Sequence, residues 1–303
     1  MTTILYGRPP LVFDPPATGE GTATQTSPLV PGSTPLESLA DGAVDEAMIY
    51  APPGVIERRY TLAQALRALK PGGRLDVMGP KDKGGSRLKK ELTAFGVEVN
   101  ESSKAHHRRC VVIRPETMTG LDEAIAGGAP RLVDGLDAWS QPGVFAWDRI
   151  DTGSLLLAEH LPALKGAGAD LGCGYGALAT VVLRSPAVTA LRLIDLDRRA
   201  VEAARRNVED VRATFDWTDV RTVEASGDLD FVVMNPPFHD GGAEDRALGQ
   251  GFIRQAAAML KRGGTLWMVA NRHLPYEAEL KAAFKRVTPL EEGGGYKLFE
   301  AVK

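Results

Sequence analysis

The chain has little cysteine, and its two thiols lie far apart in sequence. Among its 303 residues only Cys110 and Cys173 are cysteines, and they have no metal-ligand spacing. This usage excludes a disulfide scaffold and is typical of reduced thiols in a cytosolic protein. The sequence therefore predicts neither a structural disulfide nor a metal site.

Long apolar runs are also missing. No stretch approaches the roughly 20 apolar residues of a membrane-spanning helix, and Met1–Tyr6 does not begin like a signal peptide. Hydrophobic residues make up 44% and charged residues 25%, which is ordinary for a soluble globular protein. We therefore expect a cytoplasmic protein with no membrane partner.

The chain has no excess of positive charge. It carries 36 Lys and Arg against 39 Asp and Glu, which gives a formal net charge of −3. No overall field attracts nucleic acid, so any RNA contact must use local basic patches. The first half holds two such patches: Lys81, Lys83, Arg87, Lys89 and Lys90, and then His106, His107, Arg108 and Arg109. A solvated surface is the usual explanation of such runs, and the two histidines lack further ligands at metal spacing.

Composition indicates two domains. Residues 7–35 are rich in proline, threonine, glycine and serine, which predicts an irregular, extended or poorly ordered segment. A second shift in composition occurs at Gly127-Gly128-Ala129-Pro130. We expect one domain over residues 1–135 and another over residues 136–303.

The two halves repeat one pattern. In each, an apolar strand runs into a proline pair, a helical stretch follows, and a Gly-Gly turn leads into the next strand. The first copy has Ala51 before its proline pair, whereas the second has Asn235, and the first has no Asp-x-Gly-x-Gly-x-Gly motif. The sequence therefore predicts a duplicated α/β unit whose first copy is degenerate and serves as a scaffold or grips the substrate.

The loop Asn235-Pro236-Pro237-Phe238 follows the apolar run Phe231–Met234. The two prolines remove backbone donors and fix two φ angles, so the loop is stiff and its carbonyls stay free. The Asn235 side chain adds an acceptor, and Phe238 adds a flat face. A planar base with an exocyclic amino group fits all three features, so these four residues are the predicted catalytic loop.

A glycine turn lies upstream of that loop. Gly172, Gly174 and Gly176 follow Asp170 at the end of an apolar stretch, and the glycines let the backbone approach a ligand closely. Taken alone, the glycine pattern also fits the motif by which Rossmann-type domains bind dinucleotides. A carboxylate at this point would repel a pyrophosphate but attract the α-ammonium of a methionine moiety. Together the two motifs resemble class I S-adenosylmethionine-dependent methyltransferases that modify amino groups.

Two further acids end the next strands. Asp195 follows Leu191–Ile194 and is predicted to accept hydrogen bonds from both ribose hydroxyls, whereas Asp197 is the better helix cap. Asp219 could accept a hydrogen bond from the adenine amino group. An aspartate that only stabilises a turn is about as common at such a position.

The second half alternates strands and helices. Predicted strands fall near 167–171, 189–194, 211–215, 229–234, 264–270 and 296–302, and predicted helices near 153–164, 177–184, 198–208, 246–261 and 276–286. Such alternation gives a mostly parallel, doubly wound sheet with ligands beyond the carboxyl ends of its strands.

Three segments of the second half carry a more specific resemblance: Pro142–Phe145 with Asp151–Leu156, then Asn235–Gly241, then Ala270–Tyr276. With them the chain resembles the ribosomal RNA small-subunit methyltransferase C family. The resemblance implies two tandem Rossmann-like methyltransferase domains, with the N-terminal one degenerate. It also implies transfer of a methyl group from S-adenosylmethionine to guanine N2 of 16S ribosomal RNA, with ribosomal RNA or the small subunit as partner.

Other functions stay open at this point. The same loop serves enzymes that methylate large-subunit rRNA guanine, nucleic-acid adenine or protein glutamine. A noncatalytic RNA-binding assembly protein with a retained cofactor pocket is a further alternative. A dinucleotide oxidoreductase has no use for Asn-Pro-Pro-Phe.

Overall fold

The computed structural model describes residues 1–19, 22–237, 239–240, 243–244 and 246–303. Within it the chain divides into two compact units, Met1–Ala129 and Pro130–Lys303. The division falls inside the glycine- and proline-containing run 127–130, a few residues before the predicted position.

The first unit is a six-stranded sheet with three helices. Its strands are β1 (Thr3–Tyr6), β2 (Thr24–Gln25), β3 (Val44–Tyr50), β4 (Leu69–Pro80), β5 (Asn100–Lys104) and β6 (His107–Ile113). Its helices are α1 (Val55–Ala68), α2 (Leu88–Thr93) and α3 (Leu121–Gly128). The strand order is β2-β1-β3-β4-β6-β5, in which β2, β1, β3 and β4 pair in parallel and β6 is antiparallel to both neighbours.

The second unit is built around a seven-stranded sheet. Its main strands are β9 (Gly166–Leu171), β10 (Val188–Asp195), β11 (Ala213–Trp217), β12 (Leu229–Met234), β15 (Leu260–Asn271), β16 (Arg286–Gly293) and β17 (Tyr296–Val302). Two separate two-stranded sheets are formed by β7 (Arg131–Val133) with β8 (Ala138–Ser140), and by β13 (His239–Asp240) with β14 (Ala243–Glu244). Its helices are α4 (Thr152–His160), α5 (Ala177–Val182), α6 (Arg198–Asn207), α7 (Arg246–Met259) and α8 (Glu277–Ala283). The main sheet has the order β11-β10-β9-β12-β15-β17-β16, and only its last two pairings are antiparallel.

The two units share one topology. When β1 is matched to β9 and β3 to β12, the six strands of the first sheet follow the same order as six strands of the second, which adds β11 at one edge. The predicted duplication and the mixed α/β class are therefore confirmed.

An ion pair at the entry to the matched strands repeats in both units. Asp45 at the start of β3 pairs with Lys70 at 2.7 Å, and Asp230 at the start of β12 pairs with Lys261. Each lysine lies just beyond the helix that links the two strands of its unit. The same charge pair thus joins the same two parallel strands in both copies.

The Gly-Gly turns also match in detail. Each occupies a point where the register of the parallel pair shifts. A Cβ placed on Gly73 would lie 2.8 Å from the Lys70 carbonyl oxygen, and one on Gly264 would lie 3.0 Å from the equivalent Lys261 carbonyl oxygen. Only glycine fits this close backbone approach.

Side chains of the second sheet alternate between two cores. On β12, Val232 and Met234 pack with α7 and α8 on one face, whereas Phe231 and Val233 pack with α4, α5 and α6 on the other. This period of two across a sheet covered on both faces is what a doubly wound architecture requires. Packing on both faces thereby fixes the positions of the central strands and of the loops at their carboxyl ends.

Several elements were not predicted. Strands β5 and β16 are polar edge strands that pair antiparallel with β6 and β17, and neither shows a clear alternation of apolar and polar residues. The proline-rich segment 7–35 is mostly irregular, but it contributes β2, and the Gln25 side chain bonds to both backbone groups of Gly7. Among the described residues, no helix has the length and apolar character to cross a bilayer.

Candidate active site

The strand order of the second sheet reverses between β9 and β12. From β9 the chain moves to β10 and β11 on one side, and then crosses to β12 and β15 on the other. Loops that leave neighbouring strands at such a reversal open a crevice in which ligands bind. The glycine turn follows β9 and the Asn-Pro-Pro loop follows β12, so both predicted motifs flank this crevice.

The two loops are in contact range. An ideal Cβ on Gly172 would lie 3.4 Å from a ring carbon of Phe252 and 3.8 Å from Cδ of Pro237. Leu171 also pairs in register with Met234, the residue before Asn235. The structure therefore brings the predicted cofactor loop and the predicted catalytic loop together.

The glycine loop leaves room for a ligand. Gly172, Gly174 and Gly176 have φ of 74°, 55° and 91°, a left-handed region that favours glycine. A Cβ on Gly174 would meet nothing within 4 Å, whereas one on Gly176 would lie 2.9 Å from a Val208 methyl group. Gly174 is thus the open position of the turn, and Gly176 the tightly packed start of α5.

Asp170 is fully buried at the end of β9. Within the described chain neither of its carboxylate oxygens has a partner at full hydrogen-bond geometry, although the backbone N–H of Ala179 acts weakly on the carboxyl. Burial, and then the charge of Asp195, raise the pKa of Asp170 to about 8. Without a ligand this carboxyl is therefore mostly protonated at neutral pH. A cation bound nearby would lower its pKa and favour the charged carboxylate.

Asp195 ends β10 and holds the glycine loop. Its Oδ2 accepts from the Gly174 N–H at 2.9 Å, and its Oδ1 accepts from the Asp197 N–H at 2.9 Å. Burial raises the pKa of Asp195 to about 6, against the lowering effect of these bonds. As predicted, Asp197 caps α6, since its side chain accepts from the Arg199 N–H.

Asp219 lies one strand further out, after β11. Its side chain caps the short 3-10 helix Val220–Thr222 and accepts from the Arg221 N–H at 2.9 Å, and it also pairs with the Arg221 guanidinium at 2.7 Å. The indole N–H of Trp217 donates to the Leu196 carbonyl. The structural role of Asp219 is therefore clear, and its contact with adenine stays a prediction.

Asn235 is held by two side chains of α4. Its Nδ2 donates to Asp151 Oδ2 at 2.8 Å and to Ser154 Oγ at 3.0 Å. Asp151 is the N-cap of α4, because the same Oδ2 accepts from the Ser154 N–H at 2.8 Å. Of the other predicted catalytic residues, Pro236 is buried and Pro237 half-buried, whereas Phe238 lies outside the described residues.

Asp151 and Ser154 are candidate site residues with no predicted role. The segment carries an N-cap signal, an aspartate three residues before a serine, but nothing local connects it with a loop 84 residues away. After burial, the charge of Asp151 is the next cause that raises the pKa of Tyr175 and of Tyr296. Asp151 thus lies among the glycine loop, the β17 start and the catalytic loop.

The two cysteines are unreactive. Burial raises the pKa of Cys110 to about 12 and that of Cys173 well above its usual value. Thiols that stay protonated are poor nucleophiles. Among the described residues, no three His, Cys, Asp or Glu side chains form a group that could hold a metal ion.

The matching loop of the first unit is filled by its own chain. After β3, the carbonyls of Pro52 and Pro53 accept from Arg58 Nη1 at 3.1 and 2.7 Å. The Arg58 guanidinium is fully buried and pairs with Glu91 at 2.6 Å. A Cβ on Gly84 would lie 2.1 Å from Nη1, so only glycine fits over this group.

Comparisons with known proteins indicate the class of protein to which this chain belongs. Residues 135–300 match the family model of the methyltransferase small domain. Ribosomal RNA small subunit methyltransferase C of Yersinia pestis is 34% identical over 274 residues, which cover 88% of this chain and 76% of the relative. The protein of that name from Pseudomonas paraeruginosa is 32% identical over 293 residues, with 93% and 86% covered.

A solved structure is similar over the whole chain. It is a 16S rRNA N2 methyltransferase of T. thermophilus in complex with AdoMet and guanosine. Its TM-score is 0.79 at 26% identity, and the match covers 100% of this chain and 88% of that one.

The doubly wound sheet, the two adjoining loops and the family model define a methyltransferase of the small-domain family. Within that class, the extent and identity of the sequence matches are decisive. The chain belongs to the ribosomal RNA small subunit methyltransferase C family.

Proposed function

We propose that this chain transfers a methyl group from S-adenosylmethionine to the exocyclic N2 amine of a guanine in 16S ribosomal RNA. The observation that carries the proposal is the approach of Gly172 to Pro237, which joins a cofactor-type glycine turn to an Asn-Pro-Pro loop. The T. thermophilus relative, whose structure holds AdoMet and guanosine, supports the donor and the base.

Residues at the ends of β9 and β10 are the proposed cofactor site. S-adenosylmethionine, when bound, supplies an electrophilic methyl group on a positively charged sulfur. The bound cation lowers the pKa of Asp170, and the carboxylate so formed stabilises the cation in turn. The open Gly174 position accommodates close approach, and Asp195 accepts hydrogen bonds from the ribose hydroxyls. Gly172 and Gly176 shape the turn, and Asp219 is assigned to the adenine amino group.

The catalytic role is assigned to Asn235–Phe238. The Asn235 Oδ1 and the Pro236 carbonyl oxygen accept hydrogen bonds from the two N–H groups of the guanine amine. These bonds fix the nitrogen and direct its lone pair toward the methyl group. Phe238 stacks on the base. No strong base is needed, because the amine becomes acidic only as the new bond forms. Positioning of this kind supplies roughly 7–11 kcal/mol.

The first unit is assigned to RNA capture. Its α2 carries Lys89 and Lys90 on an exposed face, while Leu88 and Leu92 of the same helix are buried. In the second basic patch, Arg109 is already paired with Asp76 and Arg108 bonds to Ser103. The exposed lysines are therefore the stronger candidates for phosphate contact. We assign the small ribosomal subunit as the partner and the cytoplasm as the compartment.

Mass mapping of 16S rRNA from cells that lack this protein tests the proposal. We expect one N2-methylguanosine to disappear. The first position to inspect is guanosine 1207, which is the target given for the T. thermophilus relative. The wild-type chain should restore it. An unchanged 16S map, or loss of a methyl group elsewhere, would contradict the proposal.

A further inference from the structure

We infer that the N-cap of α4 is also the device that orients the catalytic amide: Asp151 and Ser154 are positioning residues that turn the Asn235 oxygen toward the target amine. This inference rests on the proposed function and deepens it. The observation that carries it is the convergence of three groups, since Asp151 Oδ2 accepts from both the Ser154 N–H and the Asn235 Nδ2.

An asparagine side chain has two nearly isosteric ends. Its oxygen accepts hydrogen bonds and its NH2 donates them, so a rotation of about 180° exchanges the two roles. If the NH2 end faced the substrate, it would meet the N–H bonds of the guanine amine, donor against donor. Transfer therefore requires a structural reason for Asn235 to keep one orientation.

The N-cap supplies that reason. The Ser154 N–H donates to Asp151 Oδ2 at 2.8 Å, so an oxygen must occupy that position. A carboxylate oxygen can only accept, and the part of Asn235 that contacts it must therefore be the nitrogen. The 3.0 Å contact with Ser154 Oγ satisfies the second hydrogen of Nδ2. Oδ1 is left on the side of the amide that faces away from Asp151.

Burial strengthens this arrangement. Asn235 is only partly exposed, and Gly153 is buried between the two α4 residues, where a Cβ would lie 2.7 Å from a Tyr296 ring carbon. The first turn of α4 therefore packs closely against β17, and only glycine fits at this contact. Hydrogen bonds in such a partly enclosed site hold their geometry better than at a free surface.

Three substitutions separate orientation from helix capping. Asp151→Ser keeps a good N-cap residue but withdraws the longer carboxylate from Asn235. Asp151→Asn is the conservative variant, because its side-chain oxygen can replace Oδ2 toward both donors. Ser154→Ala leaves the capping N–H in place and removes only the Oγ acceptor.

The experiment measures kcat with 16S rRNA, and the dissociation constant of AdoMet, for wild type and the three folded variants. We expect Asp151→Ser to lower kcat by up to about 100-fold and Ser154→Ala to lower it less. Asp151→Asn should recover most of the loss seen with serine. The AdoMet dissociation constant should change far less than kcat in all three, because Asn235 lies on the substrate side.

Two outcomes overturn the inference. One is a kcat within twofold of wild type in both Asp151→Ser and Ser154→Ala. The other is a loss of AdoMet affinity that matches the loss of kcat, which indicates a general disturbance of the site. If Asp151→Ser fails to fold, Ser154→Ala alone decides, since its cap is intact. A wild type that forms no N2-methylguanosine instead contradicts the proposed function itself.

Discussion

At the scale of single residues, Asp170 is a fully buried acid, and among the described residues only a weak interaction with the backbone N–H of Ala179 favours its charged form. Burial and the neighbouring Asp195 raise its pKa to about 8, whereas the ordinary value is 3.8. Between these two values the folded state holds a proton that the unfolded state has released. The group therefore stabilises the fold at low pH, and this contribution is lost as pH rises through the folded pKa.

Asp170→Asn should remove this pH dependence. From pH 5 to pH 7 the wild type without cofactor should lose up to about 1.4 kcal/mol of unfolding free energy per pH unit relative to the variant. Urea denaturation of both proteins at pH 5, 6 and 7 measures the difference. Parallel stability profiles would show that Asp170 titrates normally. The variant should also bind AdoMet more weakly.

The sequence predicted the site residues unequally. Asp170, the glycines and Asn235 belong to short motifs at strand ends, so local spacing is enough to propose them as candidate site residues. Asp151 and Ser154 show only a helix cap in sequence, because their link to Asn235 exists only when α4 packs beside β12. Contacts between distant segments leave no local spacing to read.

At the scale of elements, the two units use the same loop differently. In the second, the Asn-Pro-Pro loop adjoins the glycine turn. In the first, the Pro52 and Pro53 carbonyls accept from Arg58, a planar cation. Pro52 matches Pro236, whose carbonyl is the acceptor that we propose for the substrate amine. The degenerate character of the first copy, predicted from Ala51 and the missing glycine motif, is accompanied by this internal filling.

Arg58→Ala should destabilise the first unit strongly. It would leave Glu91 buried without its partner, and breaking such a pair typically costs about 3–5 kcal/mol. Arg58→Met combined with Glu91→Leu should recover most of the loss, because a buried ion pair and an apolar pair of similar volume are often equivalent. Chemical denaturation measures both. A loss below 1 kcal/mol in Arg58→Ala would contradict the assigned role.

Prediction of elements succeeded where burial set the pattern. The strands β9, β10, β12 and β15 are apolar, and the strand-proline-helix-glycine repeat predicted the duplication. The edge strands β5 and β16 were missed, since β5 has only polar residues, β16 is largely polar, and backbone pairing with β6 or β17 holds them in place. Their existence follows from topology rather than from periodicity.

At the scale of the whole molecule, an acidic protein is proposed to bind RNA. The net charge of −3 gives no general attraction, so binding must depend on local cations such as Lys89 and Lys90 of the first unit. Each phosphate contact releases counterions and adds to the salt dependence of binding.

Reversing both charges, Lys89→Glu with Lys90→Glu, should weaken binding of 16S rRNA and reduce the slope of log K against log salt by about 1 to 2. Anisotropy titrations between 50 and 200 mM salt measure this slope. The matched control is Lys281→Glu with Lys285→Glu, which changes the same charge at exposed positions of the second unit. Equal slopes of log K against log salt in the two variants would contradict a role of the first unit in RNA capture.

The most direct test of the central claim is methyl transfer by the purified chain. 16S rRNA is incubated with isotope-labelled AdoMet, digested to nucleosides and analysed by mass spectrometry. We predict labelled N2-methylguanosine with the wild type and none with Asn235→Ala, although the variant still binds AdoMet. Label on another nucleoside, or equal label from both proteins, would contradict the account.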